Sequence, residues 1–368
     1  MEIQDILLHI WLCSSFSYGS VMPCKILKAY SGNLKPFFDD LESEMKKFKI
    51  TEKSAEKLNK KDLESAKKIL DLCRKLKIKI VTYYSEKFPS RLKEINDCPI
   101  VLYYYGNINI SSTPCVSVIG TRNCDKIGLE NARTITKELV KYGITTVSGC
   151  AKGIDKSIHL NTLREKGNTI AILGTPLDSK YPYENCELKR NIVKNNGLLI
   201  SEYPPKIKTY AWHFPLRNRI ISAMADCVVV VQSKEKSGTI LTARKALEYK
   251  KKLFCIPPPN IFDENSKGVK KCLEEGASLL MGIEDILKLY ENSKYSLEKK
   301  EETKKEIDIP EKFKVLMNVI GEERRLDEIL RLTKYKTNET LIMLTQLELL
   351  NLVKKTTTGY KKAIWSFI

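Results

Sequence analysis

The sequence has no C-x-x-C pair among its eleven cysteines, and their spacing matches neither a zinc-ligand pattern nor a compact disulfide framework. Reduced, mostly buried thiols in a cytoplasmic protein are the expectation. The apolar run Ile6 to Leu12 is too short to cross a bilayer, and Glu2 and Asp5 stand where a secretion signal carries positive charge. Neither export nor a membrane span is expected. Acidic residues are also in deficit: 45 against 63 lysines and arginines give a formal charge of +18. Nucleic acid is the first polyanion to consider for such a chain, and an acidic membrane surface the second.

The excess is unevenly placed. Residues 111–290 hold 28 basic and 18 acidic side chains, whereas 1–110 hold 19 and 14 and 309–368 hold 11 and 7. At 368 residues the chain is long enough for two or three domains, each with its own core.

Residues 1–76 read as a helical module, with apolar residues recurring through Ile6–Leu12, Val21–Tyr30 and Leu63–Leu76. Ser17 to Leu27 outlines a turn between two helices. A helix-hairpin-helix would offer backbone amides to phosphates there, but its glycine pattern is thin, and a packing module is the favoured reading. From 77 to 290, short apolar strands alternate with helices: strands begin near Ile78, Cys98, Val116, Ile144, Thr169, Leu198, Cys227, Leu253 and Ser278, with helices between most of them. That alternation predicts a doubly wound, mostly parallel sheet covered on both faces. Residues 291–308, with six acidic residues and five lysines, read as a charged linker. Residues 309–368 give three short helices, Phe313–Ile320, Leu326–Leu332 and Glu339–Leu350, then a hairpin from Val353 to Trp365, the outline of a winged helix. Residues 338–346 contain no Arg or Lys, which counts against base readout by its third helix.

In a doubly wound sheet, ligands bind beyond the carboxyl ends of the strands. Four small-residue loops fall there: Gly120-Thr121-Arg122, Ser148-Gly149-Cys150-Ala151-Lys152-Gly153-Ile154-Asp155, Leu173-Gly174-Thr175-Pro176-Leu177-Asp178 followed by Lys180-Tyr181-Pro182, and Lys236-Ser237-Gly238-Thr239. Each precedes a helix, so backbone N–H groups and helix N-termini converge on a crevice suited to anions. Arg122 adds a planar fork for phosphate. His213-Phe214-Pro215-Leu216-Arg217-Asn218-Arg219 contributes an aromatic surface and further guanidinium groups. His159 is expected to pack within a helix, Asp155 to orient that helix, and Asp178 to order its loop. Neither a nucleophile with its base, nor an acid-base dyad, nor a metal cluster falls at these loops, so no catalytic residue, metal or cofactor is expected.

From Tyr84 to Leu280 these residues resemble the DNA-processing protein A (DprA/Smf) family. The resemblance is carried by Ile-Gly-x-Arg, Ser-Gly-x-Ala-x-Gly-Ile-Asp, Leu-Asp-x-x-Tyr-Pro-x-x-Asn, Ser-Glu-Tyr-Pro, Phe-Pro-x-Arg-Asn-Arg-Ile-Ile and Ser-Gly-Thr-x-x-Thr-Ala in order. It implies an extended Rossmann-like domain that binds single-stranded DNA, usually as a homodimer, and in transformable bacteria protects incoming strands and helps load the recombinase RecA. It further implies that Arg122 binds phosphate and that Gly120, Lys152, Lys180, Phe214, Arg217 and Arg219 lie in or beside the DNA groove. With the loop residues Thr121, Ser148, Gly149, Asn218, Ser237, Gly238 and Thr239, these form the expected site. The chain departs from the family pattern at Pro257-Pro258-Pro259, at Gln232-Ser233 in place of Glu-Ala, and at Ile158 in place of Ala.

Two other readings stand beside this one. Nucleoside-monophosphate phosphoribohydrolases share a similar core but carry Pro-Gly-Gly-x-Gly-Thr-x-x-Glu; here Thr242 occupies the glutamate position and no Gly-Gly precedes Ser237, leaving hydrolysis without its carboxylate. A nucleotide-sensing interaction protein would use the same phosphate crevice.

Overall fold

A computed structural model describes residues 3–260, 262–293, 295, 297, 299, 311–321, 323–349 and 352–362. The chain falls into two compact units, 1–301 and 302–368.

The first unit opens with six helices: α1 (Ile3–Ser15), α2 (Met22–Ala29), α3 (Lys35–Asp39), α4 (Leu41–Lys47), α5 (Glu52–Asn59) and α6 (Leu63–Lys75). The expected turn between the first two carries Gly19 at φ +76°, and the Tyr18 ring beside it packs edge-on against Tyr203 with centroids 4.8 Å apart. The helical module and the sheet share one buried apolar cluster, from Leu8 and Trp11 through Phe37 and Leu70 to Ile172 and Val230.

The nine strands are β1 (Lys79–Thr82), β2 (Val101–Gly106), β3 (Cys115–Ile119), β4 (Thr145–Ser148), β5 (Thr169–Leu173), β6 (Leu198–Ser201), β7 (Cys227–Val230), β8 (Lys252–Cys255) and β9 (Ser278–Leu279). They form one sheet in the order β1-β2-β6-β5-β4-β3-β7-β8-β9. All pairs from β6 to β9 are parallel, while β1–β2 and β2–β6 are antiparallel. Helices cover both faces of the central strands, so every residue of β3, β4, β5 and β7 is buried, and the hydroxyls of Ser117, Thr146 and Ser148 are hydrogen-bonded within the fold.

The connecting helices are α7 (Lys126–Lys141), α8 (Ile154–Arg164), α9 (Cys186–Lys194), α10 (His213–Ala223), α11 (Gly238–Glu248) and α12 (Glu264–Glu274), followed by the short α13 (Glu284–Leu287). α10 begins at His213, and Pro215 fits its first turn, where no N–H is needed. Eight of the eleven cysteines are buried and all carry free thiols.

In the second unit, α14 (Glu311–Ile320), α15 (Leu326–Thr333) and α16 (Thr337–Leu349) are followed by the antiparallel hairpin β10 (Val353–Lys355) and β11 (Tyr360–Lys362). Leu316, Ile320, Ile329, Leu344 and Leu347 form its core. Only 291–293, 295, 297 and 299 of the expected linker are described, and the hairpin residues beyond 362 lie outside the described residues. No helix among the described residues is long and apolar enough to cross a membrane.

Candidate functional site

The chain lays down β3, β4, β5 and β6 outward in one direction, then returns to place β7 on the other side of β3. Where strand order reverses, the loops leaving β3 and β7 diverge and a crevice opens above their carboxyl ends. It has a volume of about 360 Å³, and its lining includes Gly120, Arg122, Asp155, Asn218, Ser237 and Thr239. A narrower aromatic recess of about 70 Å³ adjoins it, sharing Arg122, Ala151 and Arg217 and adding Tyr181 and Phe214.

The loop after β3 is held from below. Thr121 N–H donates to the Gln232 carbonyl at 2.8 Å, extending the β3–β7 pairing, and the Thr121 carbonyl accepts from Ile154 N–H at 3.2 Å. A Cβ on Gly120 would stand 2.6 Å from Ile154 Cγ1, so only glycine lets the loop lie on the start of α8. Gly153, at φ +73°, is fixed likewise, since a side chain there would collide with the Thr121 carbonyl. Arg122 therefore stands exposed above a pinned loop, its guanidinium carbon 6.0 Å from the centre of the Phe214 ring.

Asp125 caps α7 by accepting from Gly128 N–H at 2.8 Å. That bond holds its carboxyl below the usual range. Gln232 donates from Nε2 to the same carboxylate at 2.6 Å. The amide at position 232 thus supplies a donor where a glutamate would set carboxylate against carboxylate. Ser233, the second departure, shares a 2.8 Å hydrogen bond with Ser237. Ile158, the third, is fully buried among the apolar side chains behind β3.

The β4–α8 loop is built around a buried charge pair. Asp155 accepts from the Gly149 N–H at 3.1 Å and the Ala151 N–H at 3.4 Å. Arg217 donates to the Gly149 carbonyl at 2.7 Å and to the Ile172 carbonyl. Burial raises the Asp155 carboxyl and lowers the Arg217 guanidinium, while the attraction between them opposes both shifts. Asp155 thus holds the loop before α8, whereas its position in the sequence suggests a role in orienting the helix itself. Cys150 takes a left-handed φ of +53°, and Asn185 clamps it by donating to the carbonyls of Cys150 at 2.9 Å and Ala151 at 3.3 Å. His159 lies within α8, fully buried, 2.7 Å from the Thr169 hydroxyl, and burial drives it down to about 3, so it is neutral. Asp178 accepts from Lys206 N–H at 3.2 Å, tying its loop to the one after β6.

Asn218 donates to the Gly238 carbonyl at 3.2 Å and joins α10 to the start of α11. The Thr242 hydroxyl donates to that same carbonyl at 3.1 Å. Thr242 therefore faces the crevice, at the position where the hydrolase motif carries its glutamate.

Eleven of the fourteen expected residues line these two spaces. Three do not. Ser148 is fully buried in β4, and its hydroxyl donates to the Val118 carbonyl at 2.8 Å. Arg219 is 2% exposed and makes two bonds to Glu202, at 2.6 and 2.7 Å. It lies two residues from Arg217, about 200° around a helix with 3.6 residues per turn, and so faces away from the crevice. Lys180 borders a separate recess beside α9. Lys152 is at the rim with its ammonium paired to Glu184 at 2.8 Å.

Tyr181, absent from the expected set, forms one wall of the recess, its ring 5.4 Å from that of Phe214. Its signal was present in the Tyr-Pro of the third loop, but the loop's approach to α10 is a long-range contact. Lys234 also faces the larger space; in the sequence it is one lysine among many.

A family model described as DNA recombination-mediator protein A matches residues 79–291. The DNA processing protein DprA of Bacillus subtilis is 37% identical over 220 residues, spanning 60% of this chain and 73% of that protein. The X-ray structure of DprA from Streptococcus pneumoniae aligns with a TM-score of 0.67 at 29% identity, over 78% of this chain and 98% of that one. DprA from Helicobacter pylori, in a structure described as giving insight into its single-stranded DNA binding mode, aligns with a TM-score of 0.51 at 32% identity, over 57% and 94%. The matched residues contain every loop of the crevice, and the chain belongs to the DNA recombination-mediator protein A family, the DprA/Smf proteins.

Proposed function

We propose that this protein binds single-stranded DNA without sequence preference along the crevice above β3, β4, β5 and β7. The observation that carries the reading is the shared wall of Arg122, Phe214 and Tyr181. A guanidinium suited to phosphate beside two aromatic faces matches a strand with its bases unstacked, and neither group selects a base. The DNA-binding residues are then Gly120, Thr121, Arg122, Gly149, Lys152, Phe214, Asn218, Ser237, Gly238 and Thr239, with Tyr181 added and Arg217 supporting them from beneath. Family membership extends the role to protecting incoming strands and helping to load RecA during DNA uptake, with the protein acting as a cytoplasmic homodimer. On the same footing, the 302–368 unit is a winged helix that serves a partner rather than reading bases. The expected role is non-enzymatic.

Anisotropy titrations with labelled single strand, duplex and a mononucleotide across a salt series test the binding. Tight single-strand binding whose logarithm falls linearly with the logarithm of salt is expected; equal, salt-insensitive binding of strand and duplex overturns it. Loading is tested by RecA filament formation on strands coated with single-strand-binding protein, which must accelerate when this protein is added.

The phosphoribohydrolase reading is disfavoured by one observation. Asp155 is the sole carboxylate among the described crevice residues, and it is engaged by two N–H groups and the Arg217 charge. Release of free base from a nucleoside monophosphate would restore that reading.

A further inference from the structure

The recess beside α9 has a volume of about 430 Å³ and is separate from the crevice. One wall is a stripe along α9: Cys186, Lys189, Arg190, Val193 and Lys194. Their spacing of three and four residues places them on a single helical face. The floor is apolar. Tyr105 on β2 and Leu199 on β6 are direct cross-strand partners, and Leu177 closes the far side.

The charge above this floor is of one sign. Lys180, Arg190 and Lys194 are exposed, and none makes an ion pair among the described residues. Lys189 is buried beside them, its ammonium donating to the Tyr181 carbonyl at 2.6 Å and the Ser179 carbonyl at 3.4 Å. That bond shapes the loop that carries Lys180. The unpaired cations thus ring an apolar trough instead of lying on a solvated, ion-paired face.

We propose that this trough is a docking site for an acidic peptide segment of a partner protein, bound extended with its apolar side chains on Tyr105, Leu177, Val193 and Leu199. Cys186 to Lys194 spans roughly 12 Å at the helical rise, which accommodates about four residues of extended chain. Leu177, Val193 and Leu199 make the floor mostly aliphatic, with Tyr105 as its aromatic member, and such a surface suits peptide side chains better than nucleobases, which stack on aromatic faces. Flanking aspartates or glutamates meet Arg190 and Lys194, charges that raise the association rate and select against basic partners. The site lies outside the proposed DNA contacts, so its occupation leaves the crevice open.

Its test uses the full chain and a fluorescein-labelled decapeptide with Leu-Ile-Phe set between aspartates. The controls replace the three apolar residues by serine, or the aspartates by lysine. Saturable binding is expected, with each control weaker by about ten-fold or more, equivalent to about 1.4 kcal/mol. Arg190→Glu and Lys194→Glu, both at exposed positions, should each weaken the peptide several-fold while leaving single-stranded DNA affinity unchanged. Val193→Asp should abolish peptide binding at unchanged circular dichroism. Equal binding of the serine control, or indifference to both charge reversals, overturns the proposal. Stoichiometric displacement of the peptide by DNA assigns the trough to nucleic acid instead, and loss of a dimer in Val193→Asp assigns it to a second copy of the chain. Because Arg122→Ala should weaken crevice binding independently, failure here is distinguishable from failure of the DNA reading.

Discussion

The guanidinium carbon of Arg122 stands 6.0 Å from the centre of the Phe214 ring, so in the proposed complex the exposed cation and the half-buried aromatic would meet the same stretch of strand. Arg122→Ala should lower single-stranded DNA affinity by about ten-fold or more through loss of a phosphate contact. The side chain projects into solvent, so the melting temperature should stay unchanged. Anisotropy beside thermal melting checks both halves.

Arg217 has the opposite balance. The residue is 4% exposed, and its guanidinium bonds two carbonyls beneath the crevice. Arg217→Leu leaves Asp155 without a neighbouring positive charge and the Gly149 and Ile172 carbonyls without their donor, and each buried group left unsatisfied costs about 1–3 kcal/mol. The denaturation midpoint should drop sharply, with loss of binding following as a consequence. A variant of wild-type stability that has lost only affinity would contradict this.

Lys152 is already engaged by Glu184 at 2.8 Å, both side chains being largely exposed. Glu184→Gln should free the ammonium and raise affinity a few-fold at low ionic strength, the gain fading as salt screens it. Titrations at two salt concentrations suffice to see it.

His159 gives a pH dependence of stability. Burial lowers it from 6.5 to about 3, so the folded state stays neutral where the unfolded chain takes up a proton. The stabilisation is complete above pH 6.5 and is lost as pH falls from 6.5 towards about 3. The slope is about 1.4 kcal/mol per pH unit within that window. His159→Asn, which preserves a polar group near Thr169, should flatten the dependence between pH 7 and pH 5, measured by urea denaturation at each pH. A wild-type and variant pair with parallel profiles would exclude the effect.

The alternation of strands and helices was legible because central parallel strands must be apolar throughout, as Cys227 to Val230 are. The glycine loops were legible because close backbone approach tolerates little else. The antiparallel pairing of β1 and β2 onto β6 was not, since Tyr105 and Leu199 are partners across more than ninety residues of chain. Local spacing also held unused information. Arg217 and Arg219 cannot share a face of one helix, and that arithmetic separates the crevice residue from the one locked to Glu202. Tyr181 needed tertiary structure, because nothing within its own loop announces Phe214.

The Asn185 clamp on the Cys150 and Ala151 carbonyls joins the loop after β4 to the loop after β5. The gap between those loops then behaves as a fixed gauge. A strand that fits has no wall to fold around itself, so little conformational entropy is lost by the protein on that side. Binding and release would be governed by the strand's own ordering and by salt. A tract of DNA could therefore be passed along without the protein changing shape at each step.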